Sequence, residues 1–425
     1  IVDGQGNEAP AQMLSSRSDG TYWGIWVEGV PALGYKSYRI EVSGKDRAAP
    51  GAAPGGPVFE NAFYRLRIGP EKGGITSLYD KELNRELLAT GDTVLMGQFI
   101  YEELDNRHQM ERFTYNKMDT VYVPLEGKRH YLRGLRIAGA EEGPIWSSLF
   151  LEGSIPGADP RGLSLEVRLY HPEKRLELYY GMHKLAVTSP EAVYVAFPFG
   201  LEGGRLGFEA QGGIVYPGEN QLEGTASDWN TIQNFAFARN ENAQVVFGSN
   251  DVPLVQFGAI NTGRFYYRHR PETTHLYSWV LNNYWTTNFR ASQEGELKWS
   301  YYLASSDDTS RTFATRFGWG SRVPLLTRVF PAGEEEAAAS GRSWMEVSAP
   351  NVLLVAACPA EGGKGVLLQF RETEGKEAAL KVEELLKSNI FRAVSEVNLF
   401  GEEIQQLNKE LKIGALETRF VWLKE

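Results

Sequence analysis

The dominant period along the middle of the chain is two. Leu163, Leu165, Val167 and Leu169 alternate with Ser164, Glu166, Arg168 and Tyr170. After His171-Pro172, the positions Leu176, Leu178 and Tyr180 alternate with Arg175, Glu177 and Tyr179. Successive side chains of a strand point to opposite faces, so this spacing predicts an antiparallel hairpin with one buried face. Tyr64, Leu66 and Ile68 repeat the pattern, and an aromatic, β-rich run spans residues 193–199. Gly73-Gly74, Gly203-Gly204 and Gly212-Gly213 punctuate these runs, and long amphipathic helical stretches are missing. A block this long with two-faced strands predicts an all-β fold built on two large packed sheets. Residues 376–387 (KEAALKVEELLK) read as helix on propensity, whereas Ala393, Ser395, Val397 and Leu399 read as strand.

Two stretches lack any apolar period and read as linkers, residues 46–57, which include DRAAPGAAPGGP, and residues 332–342. They divide the chain into an opening piece (1–45), a large central block (58–331) and a C-terminal piece (343–425). Glu334, Glu335 and Glu336 in the second linker read as a solvated run, for want of a His or Asp nearby. With 42% hydrophobic, 12% aromatic and 23% charged residues, the chain can bury enough surface to fold. A net charge of −10 without any Lys/Arg cluster argues against nucleic acid as a partner. The apolar stretch at 348–360 (SAPNVLLVAACPA) is too short for a bilayer and contains two prolines, so no membrane partner is expected. The chain reads as soluble, and its compartment, cytoplasmic or periplasmic, stays open. The one cysteine, Cys358, lies in that same stretch and reads as an inert core thiol. The chain starts at Ile1 with neither Met nor a signal-like segment, which reads as a processed or internal start.

Candidate chemistry is sparse. His108, His130, His171, His183, His269 and His275 are scattered, with no HExxH, HxD or Cys/His cluster, so no metal site is expected in this chain. Gly362-Gly363-Lys364-Gly365 lacks the remainder of a phosphate loop and reads as a hairpin turn. Three polar-aromatic segments are of the kind that binds sugars, where ring faces cover C–H surfaces and polar side chains take the hydroxyls. They are residues 98–107 (QFIYEELDNR), residues 228–234 (DWNTIQN) with Asn220 and Gln221 upstream, and residues 282–288 (NNYWTTN), preceded by Asn261, Arg264, His269 and Arg270. Glycoside cleavage uses two carboxylates about 5 to 9 Å apart. Glu102 and Glu103 on a strand would point to opposite faces, which favours a polar rim over a catalytic pair. The Asn-rich third segment is costly to bury without partners. It either lines a wet, ligand-facing groove or satisfies backbone groups in an irregular crossover.

Several phrases together resemble a known family. Residues 59–65 (FENAFYR), 73–81 (GGITSLYDK) and 84–87 (NREL) are similar to the opening of the large C-terminal β domain of glycoside hydrolase family 38, the α-mannosidases. Residues 31–35 (PALGY) resemble the close of the small β domain that precedes it, and Val2-Asp3 with residues 9–12 fits the strand before that. Residues 300–303 (SYYL), residues 371–373 and residues 394–403 (VSEVNLFGEE) match later strands more loosely.

The resemblance implies a galactose-mutarotase-like supersandwich with small flanking β-sandwich pieces, and strand and turn rather than helix at 376–387. It also implies a retaining, zinc-dependent enzyme whose zinc, nucleophile and general acid lie in an N-terminal α/β domain with no counterpart in this sequence. No catalytic residue is carried over. The β half of such enzymes packs on the catalytic domain and closes one wall of the mannoside site, which makes Tyr101, Asp105, Arg107, Asn283, Tyr284 and Trp285 the expected ligand-side residues. Two other readings stand beside it: a self-contained sugar epimerase or lyase, needing a pair such as His108 with Glu102 or His269 with Glu272, and a stand-alone carbohydrate-binding module.

Overall fold

The computed structural model describes residues 1–41, 51–52, 56–91, 94–110, 125–225, 227–262, 269–285, 288, 290–330 and 341–425. The two expected linkers lie largely outside these residues, as do Glu334, Glu335, Glu336, Arg264, Thr286 and Thr287. Regular structure is nearly all strand, in antiparallel sheets. The chain divides into two compact units, one of Ile1–Ala49, Ser310–Thr312 and Leu325–Glu425, the other of Pro50–Thr309 and Phe313–Pro324.

The larger unit contains a six-stranded sheet, ordered Gly127–Tyr131, Gln98–Leu104, Glu191–Pro198, His275–Asn282, Leu254–Phe257 and Asn230–Thr231. Its ten-stranded sheet has the predicted hairpin, Ala158–Tyr170 with Leu176–Lys184, near its middle, flanked by Trp146–Gly153 and Gly295–Ser306. Leu165 sits opposite Tyr180 and Val167 opposite Leu178, as the alternation requires. These side chains share one core with Phe99, Tyr101, Val193, Val195 and Phe197 from the six-stranded sheet. The other face of that sheet carries a separate cluster of Ile100, Leu104, Ala192, Tyr194, Ala196 and Trp279. Glu191–Pro198 is therefore buried along its whole length, which explains its unbroken apolar run.

A four-stranded sheet of Val58–Glu60, Tyr64–Gly69, Gly74–Asp80 and Arg85–Glu86 completes the unit's strands named here. Its polar residues cap backbone. The Asn61 side chain accepts the N–H groups of Phe63 (2.9 Å) and Tyr64 (2.8 Å) and donates to the Tyr170 carbonyl at 2.6 Å. Glu86 accepts the Ser77 hydroxyl at 2.6 Å and the Leu78 N–H at 2.8 Å. Fully buried Asp80 accepts two backbone N–H groups at 3.0 Å, the Ser305 hydroxyl at 2.5 Å and the Lys174 ammonium at 2.8 Å. Gly73, at φ +81°, closes a 3₁₀ turn where an added Cβ would meet the Leu132 carbonyl oxygen at 1.8 Å, so only glycine fits.

One helix, Arg311–Arg322, is absent from the sequence expectation. Gly318 and Gly320 depress its propensity, and tertiary contacts supply what propensity does not. Trp319 Nε1 donates to Glu209 at 2.9 Å, Arg175 to the Ser321 hydroxyl at 2.9 Å, and Gly318 lies where a Cβ would meet the Phe235 ring at 2.5 Å.

The smaller unit centres on a five-stranded sheet, ordered Val352–Pro359, Gly365–Glu372, Thr418–Lys424, Ala393–Val397 and Glu403–Leu407. Leu368, Phe370, Leu380, Leu385, Val394, Val421 and Leu423 fill its core. The helical reading of 376–387 shrinks to one turn, Val382–Leu385, because Ala378–Lys381 pairs as a strand with Glu410–Ile413. Residues 361–363 form the turn of a hairpin, as expected. Cys358 corrects the sequence reading: it is exposed, because the apolar strand that carries it is the edge of the sheet.

Glu372 is a buried carboxylate of this unit. It accepts backbone N–H groups from Glu374 (2.7 Å), Gly375 (2.8 Å) and Leu416 (2.8 Å) and the Asn351 amide at 2.7 Å. Burial alone raises its pKa, but these donors outweigh burial and hold it below the ordinary 4.5. A depressed folded value contributes stability above pH 4.5 that is lost as pH falls through the folded value. Glu372→Gln is expected to cost about 1.5–3 kcal/mol near pH 7. Urea unfolding at pH 7 and pH 3 checks this, since the difference from the parent chain should shrink in acid.

Candidate functional site

Strand register brings two of the three polar-aromatic segments together. Glu103 sits opposite Glu191, and Ala192 opposite Asn282, so residues 101–107, 187–191 and 282–285 meet at one end of the six-stranded sheet. Asn283 stitches them. Its N–H donates to the Glu191 carbonyl at 3.1 Å, and its side-chain oxygen accepts the Glu191 N–H at 2.7 Å. Its side-chain amide donates to the carbonyls of Val187 (3.0 Å) and Ala291 (2.9 Å). Arg107 donates to the carbonyls of Asn283 (3.0 Å) and Thr188 (2.8 Å). Asn283 thus satisfies backbone in a crossover, one of the two readings its segment allowed.

Two buried carboxylates flank this stitch on opposite faces of the sheet. Glu191 pairs with Lys184 at 2.7 Å, with side chains 2% and 0% exposed, and also accepts the Tyr101 hydroxyl. Glu102 pairs with Arg129 and accepts the Tyr284 hydroxyl, which lies 3.3 Å from the Tyr194 hydroxyl. Tyr194 continues to Thr262 at 3.1 Å, and Gln256 donates to the same threonine at 2.6 Å. Burial, reinforced by Glu191, pushes the Tyr101 phenol well above its ordinary range. Burial, with Tyr194 and Glu102, does the same for Tyr284. Both phenols therefore stay protonated and donate. Burial penalises the Arg129 charge, but the Glu102 carboxylate outweighs this and raises its pKa.

Glu102 and Glu103 do point apart: Glu103 is exposed and pairs with His130 at 2.7 Å. Tyr101, Asn283 and Tyr284 are buried, whereas Asp105 is exposed and Arg107 and Trp285 are half-buried. Trp285 lies 5.8 Å from Trp229, also half-buried, and 6.0 Å from Tyr284, centroid to centroid. Trp229 in turn packs on Trp279 at 5.3 Å. In the remaining polar segment, Asn234 donates to Glu209 at 2.7 Å, Gln221 to Asn230 at 2.9 Å and Asn220 to the Ile214 carbonyl at 3.0 Å. His269 contacts the Phe257 carbonyl at 3.1 Å and the Asn261 amide at 3.2 Å. Among the described residues no group of three or more His, Cys, Asp or Glu side chains could hold a metal ion.

Sequence reasoning passed over Lys184 and Glu191. The signal was present: Leu176, Leu178, Tyr180 and Met182 all point inward, and Lys184 continues the same alternation, so its ammonium needs a buried partner.

Residues 59–248 match the model of the glycosyl hydrolases family 38 C-terminal domain. An alpha-mannosidase from Enterococcus faecalis V583 is similar over 100% of this chain and 50% of its own, at TM-score 0.70 and 13% identity. A family 38 glycosyl hydrolase protein from Enterococcus faecalis is similar over 100% of this chain and 52% of its own, at TM-score 0.67 and 11% identity. At these identities the likeness is one of fold, and the chain spans about half the length of both structures. A galactose mutarotase-like protein from Lactobacillus casei ATCC 334 shares 60% coverage at TM-score 0.34 and 10% identity, too low a score to support any argument. No curated protein matches the sequence.

Proposed function

We propose that this chain is the β region of a retaining, zinc-dependent α-mannosidase-type glycoside hydrolase, packing on an α/β catalytic domain and lending one wall to its sugar site. The observation that carries this reading is the convergence of residues 101–107 and 283–285 at one sheet end. Asp105, Arg107 and Trp285 would face the mannoside, and buried Tyr101, Asn283 and Tyr284 would hold them in place. Trp285 can cover the C–H face of a sugar while Arg107 and Asp105 take hydroxyls. Zinc would sit in the catalytic domain, as the family resemblance implies.

The test supplies this chain with a family 38 α/β catalytic half and zinc, using an α-mannoside with a chromogenic leaving group. Hydrolysis is expected only in the mixture. Arg107→Ala and Trp285→Ala should each raise KM roughly tenfold with a smaller change in kcat, the loss of about 1.4 kcal/mol of uniform binding. Zinc-dependent hydrolysis by the chain alone would sink the proposal.

A second reading, a stand-alone carbohydrate-binding module, draws on the half-buried Trp229 and Trp285 pair. Mannoside titration monitored at the indole N–H resonances separates the two, because a module binds without any catalytic half.

A further inference from the structure

On the face of the six-stranded sheet that turns away from the shared core, four rings form a closed loop. Trp229 meets Trp279 at 5.3 Å, Trp279 meets Tyr284 at 5.9 Å, Tyr284 meets Trp285 at 6.0 Å, and Trp285 returns to Trp229 at 5.8 Å, centroid to centroid. Neighbouring planes are tilted by 42° to 70°, so no two neighbours in the loop lie flat on each other. Trp279 and Tyr284 are buried and make the floor, while Trp229 and Trp285 are half-buried and reach the surface. Asn261 and Thr262 border this floor. Tyr194 stacks on Trp279 at 5.9 Å and hydrogen-bonds Thr262 at 3.1 Å, and the Gln256 side-chain oxygen accepts the N–H groups of both Asn261 and Thr262.

Two polar atoms of this shell are left over. Trp279 Nε1 and Asn261 Oδ1 have no hydrogen-bond partner, although their residues are only 2% and 1% exposed. The Asn261 amide nitrogen is already committed to the Phe257 carbonyl at 2.8 Å and to His269 at 3.2 Å, which leaves its oxygen as the spare acceptor. An unpaired buried donor and an unpaired buried acceptor each destabilise a fold, and native structures keep them where another group completes them.

We propose that the four rings, Trp279 Nε1 and Asn261 Oδ1 form a binding site for an uncharged pyranose. The polar pair selects the chemistry. A hydroxyl accepts from an indole N–H and donates to an amide oxygen, so the hydroxyls of one ligand satisfy both atoms. An ammonium has no lone pair for the indole. A carboxylate has no proton for the amide, and it would lie near Glu102, which accepts the Tyr284 hydroxyl at the floor. The half-buried Trp229 and Trp285 supply the apolar surface that covers a sugar's C–H face. This inference rests on the carbohydrate-binding reading above and adds the charge class of the ligand and the two atoms that take its hydroxyls.

The test is titration of the full chain with methyl α-mannopyranoside, and with glucosamine and glucuronate as charged counterparts, followed at the indole N–H resonances. The neutral glycoside should shift the Trp279 signal, and each charged sugar should bind roughly tenfold more weakly. Trp279→Phe, which keeps a ring and removes the donor, should weaken binding of the glycoside about tenfold, and Asn261→Leu should do the same. If either variant fails to fold, an Overhauser effect between sugar protons and the Trp279 indole N–H in the parent chain decides alone. Binding that Trp229→Ala abolishes but folded Trp279→Phe and Asn261→Leu leave intact would overturn this inference and spare the carbohydrate-binding reading. Tighter binding of either charged sugar would likewise overturn the inference alone. No shift at any indole would overturn both, with water completing the two atoms.

Discussion

Replacing Lys184 by Met is expected to lower the unfolding free energy by about 3–5 kcal/mol, because it leaves the Glu191 carboxylate buried without its cation. The pair sits at 2.7 Å with both side chains almost fully excluded from water, and Lys184 also donates to the Leu185 carbonyl at 2.8 Å. Tyr101 alone then remains to satisfy the Glu191 side chain. The double variant Lys184→Met, Glu191→Leu removes both charges, and it should recover most of the loss, since apolar replacement of a whole buried pair is often near neutral. Urea unfolding of the single and double variants measures this. Equal loss in both would mean that packing, not the uncompensated charge, sets the cost. Damage should also reach the sheet end, because the Glu191 backbone exchanges hydrogen bonds with Asn283.

Asp80→Ala is the second large effect, at about 3–4 kcal/mol. Asp80 has no exposed surface, and its removal orphans two backbone N–H groups, the Ser305 hydroxyl and much of the Lys174 charge. Lys174 keeps Glu82 at 2.9 Å, which limits the damage on the solvent side. Asp80→Asn retains an acceptor for the turn and should cost less than the alanine variant. Thermal unfolding of the two side by side gives the comparison, and equal losses would show that the ammonium partner dominates.

The architecture was legible wherever one face of a strand meets water. The hairpin of Ala158–Tyr170 and Leu176–Lys184 follows directly from period-two alternation, and Tyr64, Leu66 and Ile68 are buried between exposed arginines as their spacing requires. Legibility fails where tertiary partners decide. The helix at Arg311–Arg322 contains two glycines and is held by Glu209 and Arg175, neither of which is near it in sequence. Residues 348–360 have the composition of a core strand, and composition does not reveal which strand of a sheet lies at its edge. At the candidate site, the family resemblance pointed to Tyr101, Asp105, Arg107, Asn283, Tyr284 and Trp285, and strand register brings residues 101–107 and 282–285 to one end of the sheet. Their individual duties depend on burial. Asn283 spends its side chain on backbone groups, and Tyr284 on a carboxylate 182 residues away. The phrases that carried the family resemblance, around Asn61, Asp80 and Glu86, are caps and ties for turns.

The Tyr64 hydroxyl meets Ser305 across a sequence separation of 241 residues. During synthesis the first sheet of the block is therefore complete long before the group that locks it leaves the ribosome. In the interval, the Tyr64 hydroxyl and one Asp80 oxygen lack their Ser305 partner. Loop closure over such a distance is slow, so a nascent chain of this kind holds apolar strand faces uncovered until Ser305 emerges. The lock that makes the finished block cooperative also makes its production dependent on protection while it is still half made.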